Sequence, residues 1–343
     1  MCMEEKTIKC VVWDLDDTLW NGILSEDINV SLKPGVREII EELDNRGILQ
    51  SISSKNDYES AMSVLKSFGL ENYFLYPQIN WNAKSEHIRR IQEKLNFGMD
   101  TIALIDDQEF ERQEVTFSLP EVMCIEADKI ALVLDMPCMK PKYTTNDSKK
   151  RRILYQSDQK RDELEESYSG TKEEFLKTLQ IEFRVAKANV DDLKRVEELT
   201  IRTHQLNSTG TIFSYDELMK LIHSQNYLVL IADMKDKFGT YGKIGISVVE
   251  KKEDKWNIKL LLMSCRVMSK GVGTVMLRYI MKLAREQNVH LFADFIPTDR
   301  NRIMYITYKF EGFSESGEKE GVIMLEANLT KTNDYPSYVK VIE

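Results

Sequence analysis

Residues 10–18 read Cys-Val-Val-Trp-Asp-Leu-Asp-Asp-Thr and determine the fold expected for the first part of the chain. The first four are apolar and form a short run that is typical of a buried strand in a parallel sheet. Asp14 and Asp16 follow where this strand ends, and ligands of open parallel sheets bind at the carboxyl ends of the strands. The position of the two carboxylates therefore favours a functional role over a structural one.

The same alternation of apolar runs and amphipathic stretches continues to Cys124 and predicts an α/β fold with a parallel sheet covered by helices. Further strands are expected at 48–52, 73–75 and 101–105, and helices from Val36 to Gly47, from Tyr58 to Gly69 and through Ile88, Ile91 and Leu95. Ser54 follows the second strand, Lys84 follows the third, and Asp106 ends the fourth. If these strands are neighbours, their polar residues converge on one edge of the sheet.

From about Glu174 the alternation resumes and predicts a mixed α/β second domain. Its strands are expected at 181–185, 227–232, 244–250, 256–264, 290–295 and 321–326, and its helices at 191–202, 215–222, 274–286 and near Tyr305. We predict a first domain at 1–140, a charged connector at 141–175, a second domain at 176–330 and a C-terminal tail at 331–343. The basic run at 149–152 in the connector is expected to be a solvated surface.

The composition excludes several classes of protein. With 343 residues, of which 42% are hydrophobic and 30% charged, the chain is typical of a two-domain globular protein. A net charge of -9 disfavours a binder of nucleic acid or of anionic membranes. No apolar run approaches the roughly 18 residues that cross a bilayer, and residues 1–9 lack the pattern of a secretion signal. We therefore expect a cytoplasmic protein.

The 5 cysteines are scattered along the chain, are odd in number and include no C-x-x-C. This pattern argues against a disulfide framework and against a structural zinc site. Any important cysteine, such as Cys265 at a predicted strand end, is therefore expected to be a free thiol.

The acidic residues at the strand ends have no basic partner nearby in the sequence. Clustered carboxylates are costly unless a cation neutralises them, and oxygen ligands of this kind suit Mg²⁺. In order along the chain there are an Asp-x-Asp-x-Thr, a strand-end Ser, a downstream Lys and a strand-end Asp-Asp. This four-part pattern covers about residues 9–125 and resembles the haloacid dehalogenase superfamily.

The resemblance implies a Rossmann-like phosphatase or phosphotransferase domain and gives each residue a role. Asp14 would be the nucleophile that attacks phosphorus, Asp16 the general acid and base, and Ser54 and Lys84 the phosphate binders. Asp14, Asp106 and the carbonyl of Asp16 would hold Mg²⁺. Lys84 and the metal would cancel the repulsion between the attacking carboxylate and the phosphoryl group.

The predicted phosphatase domain lacks room for a cap. Only about 36 residues, 17–52, separate Asp16 from Ser53, and one loop and one helix account for them. The interval before Lys84 is equally short. We therefore expect a capless domain whose site either accepts a macromolecular substrate or is covered by the second domain.

The sequence from Arg266 to Gly273, Arg-Val-Met-Ser-Lys-Gly-Val-Gly, leads from a predicted strand into an amphipathic helix. Backbone N–H groups in such a turn can cradle a phosphate. In context the domain resembles the GCN5-related N-acetyltransferases, whose turn holds the pantetheine-phosphate arm of coenzyme A. The resemblance implies pantetheine binding by Arg266, Lys270, Gly271 and Gly273. Met268 departs from the family pattern, which has Arg or Gln, and this departure disfavours tight binding of coenzyme A.

The two halves together resemble the FkbH-like proteins of polyketide assembly. The motifs are Trp-Asp-Leu-Asp-Asp-Thr-Leu-Trp from Trp13, Ser-Lys-Asn-Asp from Ser54, Thr-His-Gln-Leu-Asn from Thr203 and Ser-Cys-Arg-Val from Ser264. This resemblance spans about residues 9–330. Proteins of this family take 1,3-bisphosphoglycerate and load a glyceryl group onto the phosphopantetheine thiol of an acyl carrier protein, with loss of both phosphates.

The family resemblance adds substrate-binding candidates around these motifs, namely Lys55, Asn56, Gln205 and Asn207. His204, between them, is expected to be an ordinary surface histidine. The acidic surface of the carrier is expected to contact basic residues near the domain junction, for which residues 149–152 are candidates.

The two phosphates of the substrate require different chemistry. If Asp14 attacked the phosphorus of the acyl phosphate, the activation of the acyl group would be lost. A thiol must therefore attack the acyl carbon, while the Asp14 site removes the 3-phosphate. The family commonly has Cys before Ser-Lys-Asn, where this chain has Ser53. We expect Ser53 to be a poor substitute, because a hydroxyl is far less acidic than a thiol and the sequence suggests no histidine as its base. The acyl group is then expected on Cys265 or directly on the carrier thiol.

Three other functions remain open at this point. The chain could be a phosphatase of small molecules with the second domain as a lid, or a docking module for a carrier protein without enzymatic activity. A free-standing acetyltransferase is disfavoured by Met268.

Overall fold

The computed structural model describes residues 7–26, 29–96, 98–203, 205–330 and 334–343, without the side chain of Ser269. These residues form two compact units, one that ends at Gln156 and one that begins at Ser157. Among the described helices, none has the length and apolar character required to span a bilayer.

The first unit is built on a five-stranded sheet. Its elements are β1 Cys10–Trp13, β2 Trp20–Asn21, β3 Ser31–Leu32, α1 Val36–Asn45, β4 Leu49–Ser54, α2 Tyr58–Ser67, β5 Gln78–Ile79, α3 Lys84–Leu95, β6 Ile102–Asp106, α4 Glu109–Ser118, β7 Met123–Glu126 and α5 Asn146–Lys149. The sheet order is β5-β4-β1-β6-β7, and all neighbouring strands are parallel. The expectation of a parallel α/β sheet is confirmed.

Strand β1 is apolar throughout because both faces of the sheet are covered. Val11 and Trp13 belong to the cluster that includes α1, and Cys10 and Val12 belong to the cluster that includes α3. Trp13 pairs with Ile52 on β4 and with Ile105 on β6. Asp14, one residue further, is therefore level with Ser53 and Asp106 at the carboxyl edge of the sheet.

The strand expected at 73–75 is wrong. A 3₁₀ turn covers Glu71–Tyr73, and Phe74 forms only an isolated bridge with Gln50. The strand beside β4 is instead β5, at Gln78–Ile79. Phe74 and Leu75 are apolar because they are buried in the core, and a short apolar run of this length does not by itself distinguish a strand from a packed turn.

The first unit has no cap domain within the described residues. Between β1 and β4 the chain forms the two-stranded ribbon of β2 and β3 and the helix α1. Between β4 and α3 it forms α2, the 3₁₀ turn and β5. Within the described residues of the first unit, the carboxyl edge of the sheet is therefore bordered by short loops and by the starts of helices.

The second unit contains an eight-stranded mixed sheet, which confirms the expected mixed α/β class; the sequence predicts six of its strands but not those at Phe313–Lys319 and Val339–Ile342. Its elements, with the helix that precedes it, are α6 Arg151–Ser167, α7 Lys172–Thr178, β8 Ile181–Lys187, α8 Leu193–Arg202, α9 Tyr215–His223, β9 Tyr227–Asp236, β10 Gly239–Lys251, β11 Lys255–Met263, α10 Gly273–Glu286, β12 His290–Phe295, α11 Arg302–Phe310, β13 Phe313–Lys319, β14 Val322–Ala327 and β15 Val339–Ile342. The sheet order is β13-β14-β12-β11-β10-β9-β8-β15. Strand β15 lies in the segment that sequence analysis treats as a tail, and it pairs in parallel with β8.

Strands β11 and β12 are parallel, and their pairing ends at Ile258 and Ala293. Beyond this point the chain's own segment 206–208 lies beside β11. The N–H of Met263 donates to the carbonyl of Leu206 at 2.9 Å, and the N–H of Ser208 donates to the carbonyl of Leu261 at 3.0 Å. This segment therefore satisfies the backbone of β11 where β12 no longer does.

Helix α6 is anchored in the second unit by a buried arginine. The guanidinium of Arg161 donates to both carboxylate oxygens of Asp236 at 2.7 Å, and it lies 4.0 Å from the ring centroid of Tyr241. Both Arg161 and Tyr241 are fully buried. Such a bidentate pair fixes the orientation of the helix.

Candidate functional site

One lysine organises the carboxyl edge of the first sheet. Lys84 is the first residue of α3 and is 2% exposed. Its Nζ lies 2.8 Å from Asp14 Oδ1 and 2.7 Å from Glu111 Oε2, and it also contacts Asp106. The structure thus brings together three residues that sequence analysis predicts for one site and adds Glu111.

Burial and neighbouring charges have opposing effects on the pKa values of the groups in this cluster. Burial raises the pKa of Asp14 to about 7; Lys84 opposes this rise, and the neighbouring Asp106 adds to it. Burial disfavours the charge on Lys84, yet Asp14, Asp106 and Glu111 hold its pKa above the usual value. The lysine is therefore a fixed cation, whereas the ionisation of Asp14 depends on the positive charge around it.

Asp16 is held by hydrogen bonds at both of its carboxylate oxygens. Its Oδ1 accepts from the indole N–H of Trp20 at 2.8 Å and from the backbone N–H of Leu24 at 3.1 Å. Its Oδ2 accepts from the side-chain amide of Asn56 at 2.9 Å, and the same amide donates to Ser54 Oγ at 3.2 Å. The amide of Asn56 thus links the carboxylate of Asp16 with the hydroxyl of Ser54.

A second positive group borders this cluster. Lys55 Nζ lies 2.7 Å from Glu111 Oε1, and the lysine side chain is 38% exposed. Because Glu111 binds Lys55 and Lys84 at the same time, it places two ammonium groups on the same side of the site. Two such cations suit a dianionic phosphate.

The residues present fit a divalent cation. Carboxylate oxygens of Asp14, Asp106 and Asp107 lie within 4.8 Å of one another. Burial raises the pKa of Asp107, and the charge of Asp106 adds to this rise, as expected for carboxylates that lack sufficient positive charge. Thr18 fixes Asp107, since its hydroxyl donates to Asp107 Oδ1 at 3.2 Å. Hard oxygen donors of this kind are the ligands that Mg²⁺ prefers.

Glu111 was not predicted from the sequence, although its spacing from the apolar residue Val115 indicates a buried position. Glu111 and Val115 are the buried residues of α4, and residues four apart lie on the same face of a helix. An acidic residue in the apolar stripe of a helix requires a partner. Lys84 at the start of α3 supplies that partner.

The expectation that Ser53 has no histidine beside it is wrong. His87 Nδ1 lies 3.0 Å from Ser53 Oγ, and both residues are fully buried. His87 is three residues after Lys84 and lies on the same buried face of α3. The apolar spacing of Ile88 and Ile91 identifies this face, but the pairing with Ser53 depends on how the helix packs against β4.

The glycine turn of the second unit is engaged by its own chain. Arg266 lies 3.9 Å from Asp158 and donates to the carbonyl of Tyr241 at 2.5 Å. Lys270 is 2% exposed and lies 3.4 Å from Glu165. Both cations predicted to bind pantetheine therefore already face acidic residues of α6.

The two glycines of the turn differ in their surroundings. Gly271 has a φ of 65°, and a Cβ added there would lie 2.6 Å from the hydroxyl of Tyr338. Gly273 begins α10 and has open space where a Cβ would be. Only the second glycine therefore presents its backbone without a neighbouring side chain.

The remaining predicted site residues also lie in the second unit. Asn207 is fully buried, and its side-chain oxygen accepts from the N–H groups of Thr209 at 3.2 Å and Gly210 at 2.8 Å. Gln205 lies beside it, with Oε1 buried and without a hydrogen-bond partner within the described part of the chain. Cys265 is a partly buried free cysteine at the start of a 3₁₀ turn. His204 lies outside the described residues.

The basic run at 149–152 is only partly a solvated surface. Arg151 is buried and donates to the carbonyl of Gly47, and Arg152 binds Asp44 at 2.9 Å. These two arginines therefore stabilise the first unit.

Comparisons with known proteins give one family and several solved structures that are similar to parts of the chain. Residues 18–113 match a family model described as haloacid dehalogenase-like hydrolase. No curated protein matches the chain. A solved structure of the N-terminal part of the protein BF1531 from Bacteroides fragilis, containing a phosphatase domain complexed with Mg, is 30% identical. The match covers 35% of this chain and 36% of that chain, with a TM-score of 0.33. This chain thus spans about a third of the length of that protein.

The second unit is similar to N-acetyltransferase structures. The ribosomal-protein-S18-alanine N-acetyltransferase from Escherichia coli is 12% identical over 44% of this chain and 97% of that chain, with a TM-score of 0.35. The PaiA N-acetyltransferase from Thermoplasma acidophilum, in complex with coenzyme A, is 16% identical over 42% and 98%, with a TM-score of 0.34. Residues 18–113 thus match the haloacid dehalogenase-like hydrolases, and the chain continues as a mixed α/β unit.

Binding of Mg²⁺ at the carboxylate cluster should stabilise the protein. A ligand present at about 100 times its Kd adds about 2.7 kcal/mol, which for a domain of this size raises Tm by roughly 5 to 10 °C. We expect MgCl₂ to raise Tm by such an amount in the parent and by much less in Asp106→Asn, as measured by calorimetry.

The matched control is Asp135→Asn, whose side chain is 81% exposed and lies away from the cluster. This variant should keep the full shift. Equal shifts in Asp106→Asn and the parent would exclude the cluster as the metal site.

Proposed function

We propose that this protein is an FkbH-like, Mg²⁺-dependent phosphatase and glyceryltransferase. It takes 1,3-bisphosphoglycerate and loads the glyceryl group onto the phosphopantetheine thiol of an acyl carrier protein. The observation that carries the proposal is the buried cluster of Asp14, Lys84 and Asp106 at the carboxyl edge of the sheet. The order of sequence motifs over residues 9–330 supports the choice of substrate and partner.

The first unit removes the 3-phosphate. Asp14 attacks phosphorus, and Lys84 holds the attacking carboxylate while it reduces the repulsion of the phosphate. The hydroxyl of Ser54 donates a hydrogen bond to a phosphate oxygen, and Asn56 holds this hydroxyl and the carboxylate of Asp16 in place. Bound Mg²⁺ supplies further positive charge at Asp14, Asp106 and Asp107.

Asp16 is suited to carry the proton of this reaction. Trp20 and Leu24 fix its Oδ1, so that its Oδ2, shared with Asn56, faces the reacting groups. It protonates the leaving glyceryl oxygen and afterwards removes a proton from the water that hydrolyses the phosphorylated Asp14. The hydrogen bonds hold the carboxylate in place, which reduces the cost of orienting it in each step.

The acyl phosphate is consumed by attack on its carbonyl carbon. This step forms a bond between the acyl carbon and a nucleophile and releases inorganic phosphate. The carrier thiol, or an enzyme group that passes the acyl group on, is the nucleophile. The two phosphates therefore leave by two different reactions.

The rim of the site supports a macromolecular substrate. Four large apolar side chains near the carboxyl edge are exposed: Ile23 after β2 is 38% exposed, Tyr58 at the start of α2 45%, Trp81 after β5 71% and Phe110 at the start of α4 77%. A concentration of exposed apolar side chains around a polar site is typical of a protein interaction surface. A small phosphate ester needs no such rim.

Hydrolysis of small phosphate esters is the competing function, because every residue of the phosphate site lies in the first unit. Intact-protein mass spectrometry of a phosphopantetheinylated carrier incubated with enzyme, 1,3-bisphosphoglycerate and Mg²⁺ distinguishes the two. We expect the carrier to gain one glyceryl group with the parent. With Asp14→Asn the product should retain its phosphate, because the carboxylate that removes it is gone.

The control is Asp57→Asn, which changes the exposed acidic helix cap directly after Asn56. This variant should load unphosphorylated glyceryl as the parent does. A carrier of unchanged mass, with phosphate still released, would instead establish a phosphatase of small molecules.

A substitution in the exposed rim should weaken binding of the carrier and leave the phosphatase reaction unchanged. We expect Trp81→Ala to raise the KM for the carrier about tenfold or more, since an aromatic anchor at a protein interface contributes roughly 1 to 2 kcal/mol or more. Its rate of hydrolysis of p-nitrophenyl phosphate should stay within twofold of the parent.

Phe117→Ala is the matched control, because Phe117 is 91% exposed but lies at the other end of α4. It should leave the KM for the carrier and the rate of hydrolysis of p-nitrophenyl phosphate unchanged. Equal effects of the two substitutions on the KM for the carrier would remove the rim as the docking surface.

A further inference from the structure

All three donors of the Lys84 ammonium group are engaged by carboxylates of the first unit. An ammonium group has three N–H donors and no acceptor. The Nζ of Lys84 lies 2.8 Å from Asp14 Oδ1 and 2.7 Å from Glu111 Oε2, and it also contacts Asp106 Oδ2. In this state Lys84 has no donor left for a phosphate oxygen. One of the three carboxylates must therefore leave the lysine before it can bind a phosphate.

Two of these carboxylates are fixed by the sheet. The backbone N–H of Asp14 donates to the carbonyl of Ile105 at 2.9 Å, which continues the pairing of β1 with β6. Asp106 is the last residue of β6, and its Oδ1 accepts from the backbone N–H of Gln108 at 2.8 Å. Asp14 is also the proposed nucleophile and must stay beside the phosphate. Glu111, which lies on a helix, is therefore the carboxylate that can leave.

Glu111 has a second partner that can move with it. Its Oε1 lies 2.7 Å from Lys55 Nζ, and the side chain of Lys55 is 38% exposed, whereas Lys84 is 2% exposed at the start of α3. A carboxylate that leaves Lys84 can thus follow Lys55 toward solvent and keep a positive partner. A phosphate oxygen takes its place on Lys84, so that neither buried charge is left without compensation.

We propose that Glu111 is an internal competitor of the substrate phosphate, which occupies Lys84 in the free site and is displaced toward Lys55 when a phosphate binds. The proposal rests on the proposed function, because it concerns the lysine that receives the phosphate in that reaction. Glu111 acts through Lys84 and does not touch the reacting atoms. It is therefore a positioning residue that sets the affinity for phosphate.

The competition affects both the free site and the release of product. Without substrate, Glu111 helps to compensate the buried charge of Lys84, and this explains why an acidic residue lies in the apolar stripe of α4. After hydrolysis, the returning carboxylate of Glu111 competes with inorganic phosphate for Lys84. The affinity for phosphate is thereby kept low, which favours release of the product.

A static role of Glu111 is the alternative explanation of the same contacts. If its carboxylate stayed in place and only aimed the ammonium groups of Lys55 and Lys84 at the phosphate, its removal would weaken phosphate binding. If the carboxylate is displaced, its removal strengthens phosphate binding. The direction in which the Kd for phosphate changes therefore distinguishes the two roles.

The test is isothermal titration calorimetry of the full chain with inorganic phosphate in the presence of MgCl₂. We expect Glu111→Gln to lower the Kd for phosphate about tenfold or more, because the phosphate no longer has to break a charge-assisted hydrogen bond. Glu111→Asp should lower the Kd about threefold or more although it keeps the charge. Its side chain is about 1.5 Å shorter, one carbon–carbon bond, and cannot reach both ammonium groups.

Glu114→Gln is the matched control, because it removes the same charge from the same helix. Glu114 is half-buried, and its carboxylate accepts from the backbone N–H of Ser85 at 3.2 Å and from the Ser85 hydroxyl at 2.5 Å. Ser85 directly follows Lys84, so the control charge also lies near the site. This variant should keep the Kd within twofold of the parent. The Tm of each variant, measured alongside, shows that the titrated protein is folded.

The outcomes separate this proposal from the proposed function. An unchanged or higher Kd in Glu111→Gln, an unchanged Kd in Glu111→Asp, or an equal decrease in Glu114→Gln overturns the competitor role and leaves the phosphatase standing. A lower Kd in both Glu111 variants alone supports the competitor role, whether or not the carrier is loaded. Absence of phosphate binding in the parent and in every variant overturns both.

Discussion

The ammonium group of Lys84 holds the carboxyl edge of the first sheet together. Asp14, Asp106 and Glu111 come from three different elements, and each places a carboxylate on this one buried cation. Removal of one member of a buried ion pair costs roughly 3 to 5 kcal/mol, because the remaining charge is left without compensation. Under the proposed function, the same charge that stabilises the fold would also hold the nucleophile Asp14 and attract the phosphate, so the stability and the chemistry of the first unit would have a common origin.

Much of this site follows from the sequence because parallel strands place their carboxyl ends at one edge. Asp14, Ser54 and Asp106 were predicted from their positions at strand ends, and Lys84 from the order of motifs in the haloacid dehalogenase resemblance. The structure brings Asp14 and Asp106 into contact with Lys84, while Asn56 links Ser54 to Asp16. Glu111 and His87 were not predicted. Both lie on buried helix faces, and their partners depend on how α3 and α4 pack against the sheet, which periodicity does not determine. The false strand at 73–75 has a related cause, since a buried turn and a short buried strand have the same composition.

In the second unit, a turn that the sequence predicts to bind a ligand instead makes contacts within the chain. The turn from Arg266 to Gly273 has the sequence of an anion-binding loop, yet Arg266 and Lys270 face Asp158 and Glu165 of the chain itself. Burial raises the pKa of Asp158 to about 6, although the charges of Arg266, Arg161 and Lys270 oppose this rise. The network therefore contains a carboxyl group that is protonated more easily than an exposed one. The backbone of β11 is likewise satisfied by residues 206–208. The motif alone thus does not determine whether this turn is open to a ligand.

The central claim is that Asp14 is the nucleophile of a phosphoryl-transfer site assembled on Lys84. The most direct test is to quench the enzyme in acid during turnover of 1,3-bisphosphoglycerate, reduce it with borohydride and map its peptides by mass spectrometry. A phosphorylated aspartate is an acyl phosphate and is reduced to homoserine, whereas a free aspartate is not. The account predicts homoserine at position 14 and unchanged aspartate at positions 16 and 106. Phosphate release at full rate with unmodified aspartate at position 14 would contradict it.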